Sequence, residues 1–324
     1  MEIVKSPVEL ISESDMTKVK LSGFLFPKPC LSVVHTKRDS EKMKTPDWEK
    51  DIALLNAQQK IEQAYEKISI YNKDITDSIN YSRRIQEAIL PEKEILFESV
   101  KDAFIFYKPK AIVSGDFYWF TKSDNKLLLA MVDCTGHGVP GAFMSMIGHN
   151  LLNEIVHVKD ITQPSEILNR LDRGVRKLLK QDSNKNDSRD GMDIALCSID
   201  IVTGEVEFAG ANRPLFVIRK GRSEMIRGNI FPIGGMFKET EFSYTNQKMK
   251  VSEGDMIYLF SDGYADQFGG AYNKKLMSKR FKQLLRTVHP LKSGQQKKII
   301  SNFFDEWKGL NEQTDDVLVM GIKI

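Results

Sequence analysis

Six consecutive apolar residues, Leu127 to Val132, run directly into Asp133 and then into Cys134–Thr135–Gly136–His137–Gly138–Val139–Pro140–Gly141. The apolar run predicts a buried strand, and the glycines and Pro140 predict a turn that opens a helix. A carboxylate at the end of such a strand costs on the order of several kcal/mol unless it is paired or bound to a metal. The glycines also let backbone groups approach a ligand closely. On this stretch alone, a capped strand-to-helix turn and a ligand-holding loop explain the residues equally well.

Three further segments shift that balance: Ser114–Gly115–Asp116–Phe117–Tyr118, Leu259–Phe260–Ser261–Asp262–Gly263 and Thr314–Asp315–Asp316–Val317–Leu318–Val319. Each sets an aspartate beside a small residue or at the border of an apolar strand. Together with Asp133 they suggest one site for a hard cation, and carboxylates with backbone and water oxygens suit Mg²⁺ or Mn²⁺ rather than zinc. The five histidines and the lack of a cysteine cluster agree with that preference.

The rest of the chain after Pro91 has α/β texture. Phe104–Tyr107 and Ile112–Phe120, the latter interrupted by Asp116, predict strands before Leu127–Val132. A helix after Pro140 is expected to put Phe143, Met146, Ile147, Asn150 and Leu151 on one face. A second, opening near Pro164, is expected to bury Ile167, Leu168, Leu171, Val175 and Leu178, and the two should pair in one layer. His149 and His157 are expected to be ordinary helix residues, and Gln181 to Asp190 an exposed polar loop. A meander follows, with strands at Asp193–Ile199, Val206–Phe208 and Leu215–Ile218 separated by turns at Thr203–Gly204 and Lys220–Gly221, and a loop at Phe231–Gly235. Glu241–Val251 and Met256–Phe260 predict a hairpin around Glu253–Gly254–Asp255. Helical patterns occupy Tyr272 to Trp307, and Asp316–Ile322 closes as a strand. Strands joined by tight turns are mainly antiparallel, which argues against a parallel dinucleotide-binding sheet. The expected fold class is α+β: two packed, mainly antiparallel sheets with helices outside, preceded by one long helix.

That helix is the stretch 51–90, which has neither glycine nor proline. Leu54, Ile61, Ile68, Ile75 and Ile89 recur at heptad spacing, broken only by Ser82, and Ala57, Ala64, Tyr71, Ser78 and Ile85 complete an a/d seam. Such a stripe needs a partner, either its own domain or a second copy, and its length favours a parallel coiled-coil homodimer. Residues 1–50 are irregular, read as a tail, and carry no assigned function; residues 91–324 form the main domain. The net charge of +3, from 47 basic and 44 acidic side chains, gives no field that argues for nucleic acid. Three scattered cysteines, Cys30, Cys134 and Cys197, predict a reducing compartment, and no apolar run reaches the roughly 18 residues that cross a bilayer. A cytoplasmic protein is expected.

From Leu90 to Ile324 the chain resembles the metal-dependent serine/threonine phosphatases (the PPM family), in the bacterial branch typified by SpoIIE and RsbU. The resemblance is carried by Ser114–Gly115–Asp116–Phe117–Tyr118, Asp133–Cys134–Thr135–Gly136–His137–Gly138, Gly210–Ala211–Asn212–Arg213–Pro214, Phe260–Ser261–Asp262–Gly263 and Thr314–Asp315–Asp316, in the family's order. It implies an α-β-β-α sandwich and hydrolysis of phosphoserine or phosphothreonine on a regulatory protein, with an anti-sigma-factor antagonist as the branch's frequent substrate. The implied cofactor is a pair of Mn²⁺ or Mg²⁺ ions, a third being left open, which activate water. Residue by residue, the resemblance makes Asp133 the carboxylate bridging two metals and the Cys134 carbonyl an additional ligand. Asp262 and Asp315 would hold one ion, and Asp116 the other, partly through water. His137 stands near a histidine proposed as general acid in relatives outside this branch, but its spacing to Asp133 differs; the alternative is a turn residue fixed by hydrogen bonds. Asp193 aligns with no ligand and is expected to be structural, and Asp316 to be a solvated strand-edge residue. No lysine or arginine can be assigned as a phosphate clamp. The helix before Pro91 resembles linkers through which sensor domains control such enzymes. The competing readings are a phosphatase-like fold without turnover that acts as a coiled-coil scaffold, and a phosphatase for small metabolites.

Overall fold

A computed structural model describes residues 47–182, 188–235 and 243–324. Most of the expected N-terminal tail, Cys30, the middle of the 181–190 loop and the start of the expected 241–251 strand lie outside those residues. The chain runs α1 (Asp47–Ile89), α2 (Lys93–Ser99), β1 (Asp102–Lys108), β2 (Phe117–Ser123), β3 (Lys126–Cys134), α3 (Gly138–Asn153), a π-helical turn (Glu154–Val158) and α4 (Pro164–Leu178). The meander is β4 (Gly191–Asp200), β5 (Glu205–Ala211), β6 (Leu215–Arg219), β7 (Arg222–Ile226), β8 (Ile233–Gly234), β9 (Gln247–Lys250) and β10 (Met256–Phe260). It ends with α5 (Gly263–Asp266), β11 (Phe268–Gly269), β12 (Lys274–Lys275), α6 (Ser278–Val288), α7 (Ser293–Lys308) and β13 (Val317–Lys323).

Tight turns between apolar runs leave neighbouring strands antiparallel, and the two main sheets are built that way. One has the order β1-β13-β10-β6-β7; the other has β2-β3-β4-β5-β9, with β8 on β4. The inner faces meet in a core that includes Leu129, Met131, Cys197, Val217, Leu259 and Met320. The outer face of the second sheet, with Ala130, Val132 and Ile194, packs on Leu152, Leu168 and Leu171 of α3 and α4. The outer face of the first, with Phe104, Tyr258 and Val319, packs on Phe281, Leu285, Ile300 and Phe304 of α6 and α7. The result is the expected α-β-β-α sandwich. It also explains the unbroken run at Leu127–Val132: both faces of β3 are covered, so no polar alternation is needed. Leu129→Ala, in the inter-sheet core, is expected to cost about 2–5 kcal/mol, read as a lower urea midpoint at unchanged m-value.

Six local expectations are corrected. The buried face of α3 is Gly141, Met144, Ser145, Gly148, His149 and Leu152, whereas Phe143 is 65% exposed. The helix docks through its small residues: a Cβ at Gly148 would meet Met192 and Phe117 at 3.0 Å. Leu178, expected in the core, is exposed at the end of α4. The expected hairpin of 241–251 with 256–260 does not form, because β9 pairs with β5 in one sheet and β10 with β6 and β13 in the other. Finally, Ala111–Asp116 is irregular rather than part of a strand starting at Ile112. Asp316 takes the backbone N–H groups of Lys110 and Gly115 at 2.7 and 2.8 Å and so keeps them out of a ladder. Asp316 is therefore a buried clamp, not a solvated edge residue. Gln181 is likewise buried, accepting from Gly235 N–H and donating to the Asp190 carbonyl.

The chain divides into two compact units between Ile70 and Tyr71. In the first, the described part of α1 is exposed along its length, with Leu54, Ile61 and Ile68 each more than half accessible. In the second, the remainder of α1 buries Gln86. Its amide donates to the Ser114 carbonyl at 2.7 Å and to Ser145 Oγ at 2.8 Å, and accepts from Ser114 N–H at 3.1 Å.

Candidate active site

Strand ends from both sheets deliver carboxylates to one place. Asp133 ends β3 and pairs in register with Asp193 on β4. Asp116 immediately precedes β2, Asp262 follows β10 at the start of α5, and Asp315 lies just before Asp316 and β13. The convergence is set by Arg213, from the turn between β5 and β6. Its Nη2 lies 2.7 Å from Asp133 Oδ2, 2.7 Å from Asp262 Oδ2 and 3.2 Å from Asp193 Oδ2. Asp133 and Asp262, distant in sequence, thus share one donor atom. They open, with Asp193, Asp315, His137 and Arg189, on a cleft of about 290 Å³. A larger, open depression of about 690 Å³ around Arg219, Lys220 and Arg222 lies at the other end of β6 and holds no carboxylate cluster.

The electrostatics are those of acids forced together. Burial first, then Asp262, Asp193 and Asp315, push Asp133 up to about 7, against the opposing pull of Arg213. Asp116, only 3% exposed, is held well above the usual carboxylate range by burial and by Asp133, with the Ser261 hydroxyl opposing. Burial also raises Asp193 and Asp315. Burial disfavours the charge on Arg213, but the three carboxylates outweigh it and hold the guanidinium ionised. Cys134 is buried and its thiol is pushed up, chiefly by burial, which disfavours a thiolate there and makes its carbonyl the candidate donor.

The donor set fits a hard divalent cation. Asp116 Oδ2 is buried with no hydrogen-bond partner, so it is an acceptor waiting for a positive charge. The backbone is cut away around it: a Cβ at Gly115 would lie 2.4 Å from the Gly136 carbonyl and 3.3 Å from that of Cys134. Among the described residues, no three acidic, cysteine or histidine side chains already form a closed cation shell, and Arg213 stands between the carboxylates. His137 is exposed at the rim, with Nε2 2.9 Å from Lys110 Nζ. An ammonium only donates, so that nitrogen is the acceptor. His149 is not in the site; it is buried against Phe117 and paired with Asn153.

One member of the site escapes the reading from sequence: Arg213 is a cation set directly on the carboxylates. Asp193, expected to be structural, lines the cleft with both oxygens held, by Asn212 and Arg213. The sequence marks the Asn212–Arg213–Pro214 turn but not its partners; Asn212 Nδ2 binds Asp193 Oδ1 at 2.9 Å.

The sequence profile of the family described as "Stage II sporulation protein E (SpoIIE)" matches residues 123–324. Phosphoserine phosphatase RsbU of Bacillus subtilis (strain 168) is 24% identical over 213 residues, 63% of this chain and 58% of that protein. The chain therefore spans less than two thirds of that relative's length. Among solved structures, the SiaA-PP2C domain of Pseudomonas aeruginosa has a TM-score of 0.71 at 29% identity, covering 78% of this chain and 98% of that one. The PP2C phosphatase domain of SpoIIE from Bacillus subtilis, solved with a fragment of its regulatory domain, has a TM-score of 0.54 at 19% identity, covering 69% and 63%. The latter is a likeness of fold.

Proposed function

The chain belongs to the SpoIIE family, and from that premise we propose that it is a phosphoprotein phosphatase acting on phosphoserine or phosphothreonine of a regulatory protein. The observation that carries this reading is the convergence of Asp133, Asp262 and Asp315 on one cleft, with Asp116 near enough to Asp133 and Asp315 for their charges to interact and with its Oδ2 buried and unpartnered. These four, with the Cys134 carbonyl, would hold a pair of Mn²⁺ or Mg²⁺ ions. Such ions, when bound, acidify water toward neutrality and offset charge on phosphoryl oxygens. The chain's own residues supply the frame. Asp133 stands at the end of a strand packed on both faces and so has little freedom. Asp316 pins the loop that presents Asp116 through the N–H groups of Lys110 and Gly115. His137 is the candidate acid for the leaving oxygen, a role that needs its ring protonated on both nitrogens, with Nε2 turned from Lys110. An anti-sigma-factor antagonist as substrate rests on family resemblance alone.

Wild-type turnover with Mn²⁺ on a phosphoserine protein and on sugar phosphates tests the reading. Preference for the phosphoprotein supports it, sugar-phosphate preference replaces it with a metabolite phosphatase, and no turnover on either leaves a scaffold.

The domain organisation we propose is a tail at 1–50, a coiled-coil linker at 51–90 and the phosphatase domain at 91–324, in the cytoplasm. Unpaired, buried Cys134 and Cys197 support a reducing compartment, and among the described residues no helix is long and apolar enough to cross a membrane. Exposure of the heptad seam supports a parallel homodimer through α1. Replacing Ile61 and Ile68 together by Asp is expected to give a monomer by sedimentation equilibrium, while turnover per site on a generic phosphomonoester is measured alongside. A dimer that survives both changes removes the coil from the interface.

A further inference from the structure

Arg213 does not itself line the cleft but contacts three carboxylates that do. Its side chain is 15% exposed, and its three carboxylate contacts all use Oδ2: those of Asp133, Asp262 and Asp193. The other oxygen of Asp133 and of Asp262 accepts no hydrogen bond among the described residues. Asp193 Oδ1 is held by Asn212. The turn that brings Arg213 there is tightly built. Asn212 adopts φ 57°, Arg213 N–H donates to the Ala211 carbonyl at 2.7 Å, and a Cβ on Gly210 would lie 2.2 Å from the Arg213 carbonyl.

We propose that Arg213 is a positioning residue. By gripping one oxygen on each of three carboxylates, it leaves the second oxygen of Asp133 and Asp262 for a divalent cation in the cleft. This rests on the phosphatase reading above. A guanidinium suits the task because its charge is permanent: a single terminal nitrogen, Nη2, faces all three carboxylates, while Nε, buried, has no partner among the described residues. Losing it has two opposed effects. Removing a positive charge favours an incoming cation, whereas releasing three mutually repelling carboxylates lets them turn apart. Orientation dominates, since loss of an outer partner of a metal ligand typically weakens metal affinity about 10–100-fold.

The test is Mn²⁺ binding to the full chain, followed by loss of the free-ion EPR signal, together with metal-free melting of wild type, Arg213→Met and Arg213→Lys. Arg213→Met is expected to bind Mn²⁺ about 10–100-fold more weakly, with Arg213→Lys between it and wild type and kcat recovering as Mn²⁺ saturates. Unchanged or tighter binding by Arg213→Met overturns the proposal, because the guanidinium is then a competitor for the carboxylates. If the melting curve shows Arg213→Met unfolded, Arg213→Lys decides, and wild-type affinity in it overturns the proposal equally. Wild type that neither binds Mn²⁺ nor turns over a phosphomonoester defeats the phosphatase reading as well, whereas a loaded, active wild type matched by both variants defeats only the role of Arg213.

Discussion

Asp133→Asn is expected to lower kcat/KM for Mn²⁺-dependent phosphomonoester hydrolysis by more than the ~100-fold typical of losing an outer partner of a metal ligand. The change keeps the shape of the side chain and removes its charge. An amide offers a weak, neutral oxygen in place of the carboxylate that, on the reading proposed above, would help hold the metal, so metal would be bound poorly. The fold should not suffer: burial and neighbouring acids already push Asp133 up to about 7, so an ionised group there is a burden to the metal-free protein. Arg213 keeps Asp262 and Asp193 as partners. The expected result is therefore a dead enzyme whose melting temperature in chelator is unchanged or raised, with Asp262→Asn behaving similarly in activity. Undiminished turnover in either variant would remove the carboxylates from the chemistry.

In chelator, stability is expected to fall as pH rises from about 4 to about 7. Asp133, Asp116, Asp193 and Asp315 are all shifted upward, so between the unfolded and folded values the native state holds more protons than the unfolded chain. With that sign, deprotonation favours unfolding; the contribution is full at low pH and lost through the folded value. For Asp133, the shift from 3.8 to about 7 corresponds to a few kcal/mol, on the order of 1.4 kcal/mol per pH unit. Urea midpoints at pH 5 and pH 7.5 measure it, and Mn²⁺ should restore the loss at the higher pH by binding the ionised form. A midpoint that rises with pH in chelator would contradict the crowding of acids described here.

The sandwich was legible in sequence because its cause is local: tight turns dictate antiparallel pairing, and the β3 run announces a strand covered on both sides. The aspartates at strand ends were legible for a similar reason, since a charge bordering an apolar run needs an explanation. What escaped depends on contacts between distant segments. The periodicity of α3 points to Phe143, yet Gly141 and Gly148 decide the docked face because only they permit the approach. The segment around Gly254 reads as a hairpin turn, but Gly254 N–H bonds the Ile324 carbonyl and the chain crosses between sheets. Arg213 sits in a recognisable motif, but nothing local reveals that its charge is spent on acids from three other elements.

β13 has a further consequence. It lies between β1 and β10, inside its sheet, pairing Asp102 with Lys323, and the residues just before it supply both the Asp316 clamp and Asp315. A ribosome must therefore release residues 102 to 323 before β13 can slot into place beside β1. Until then, β1 waits beside an open gap and the acidic centre is incomplete. Such long-range closure is slow compared with hairpin formation. The proposed hydrolytic centre is thus incomplete until that strand inserts.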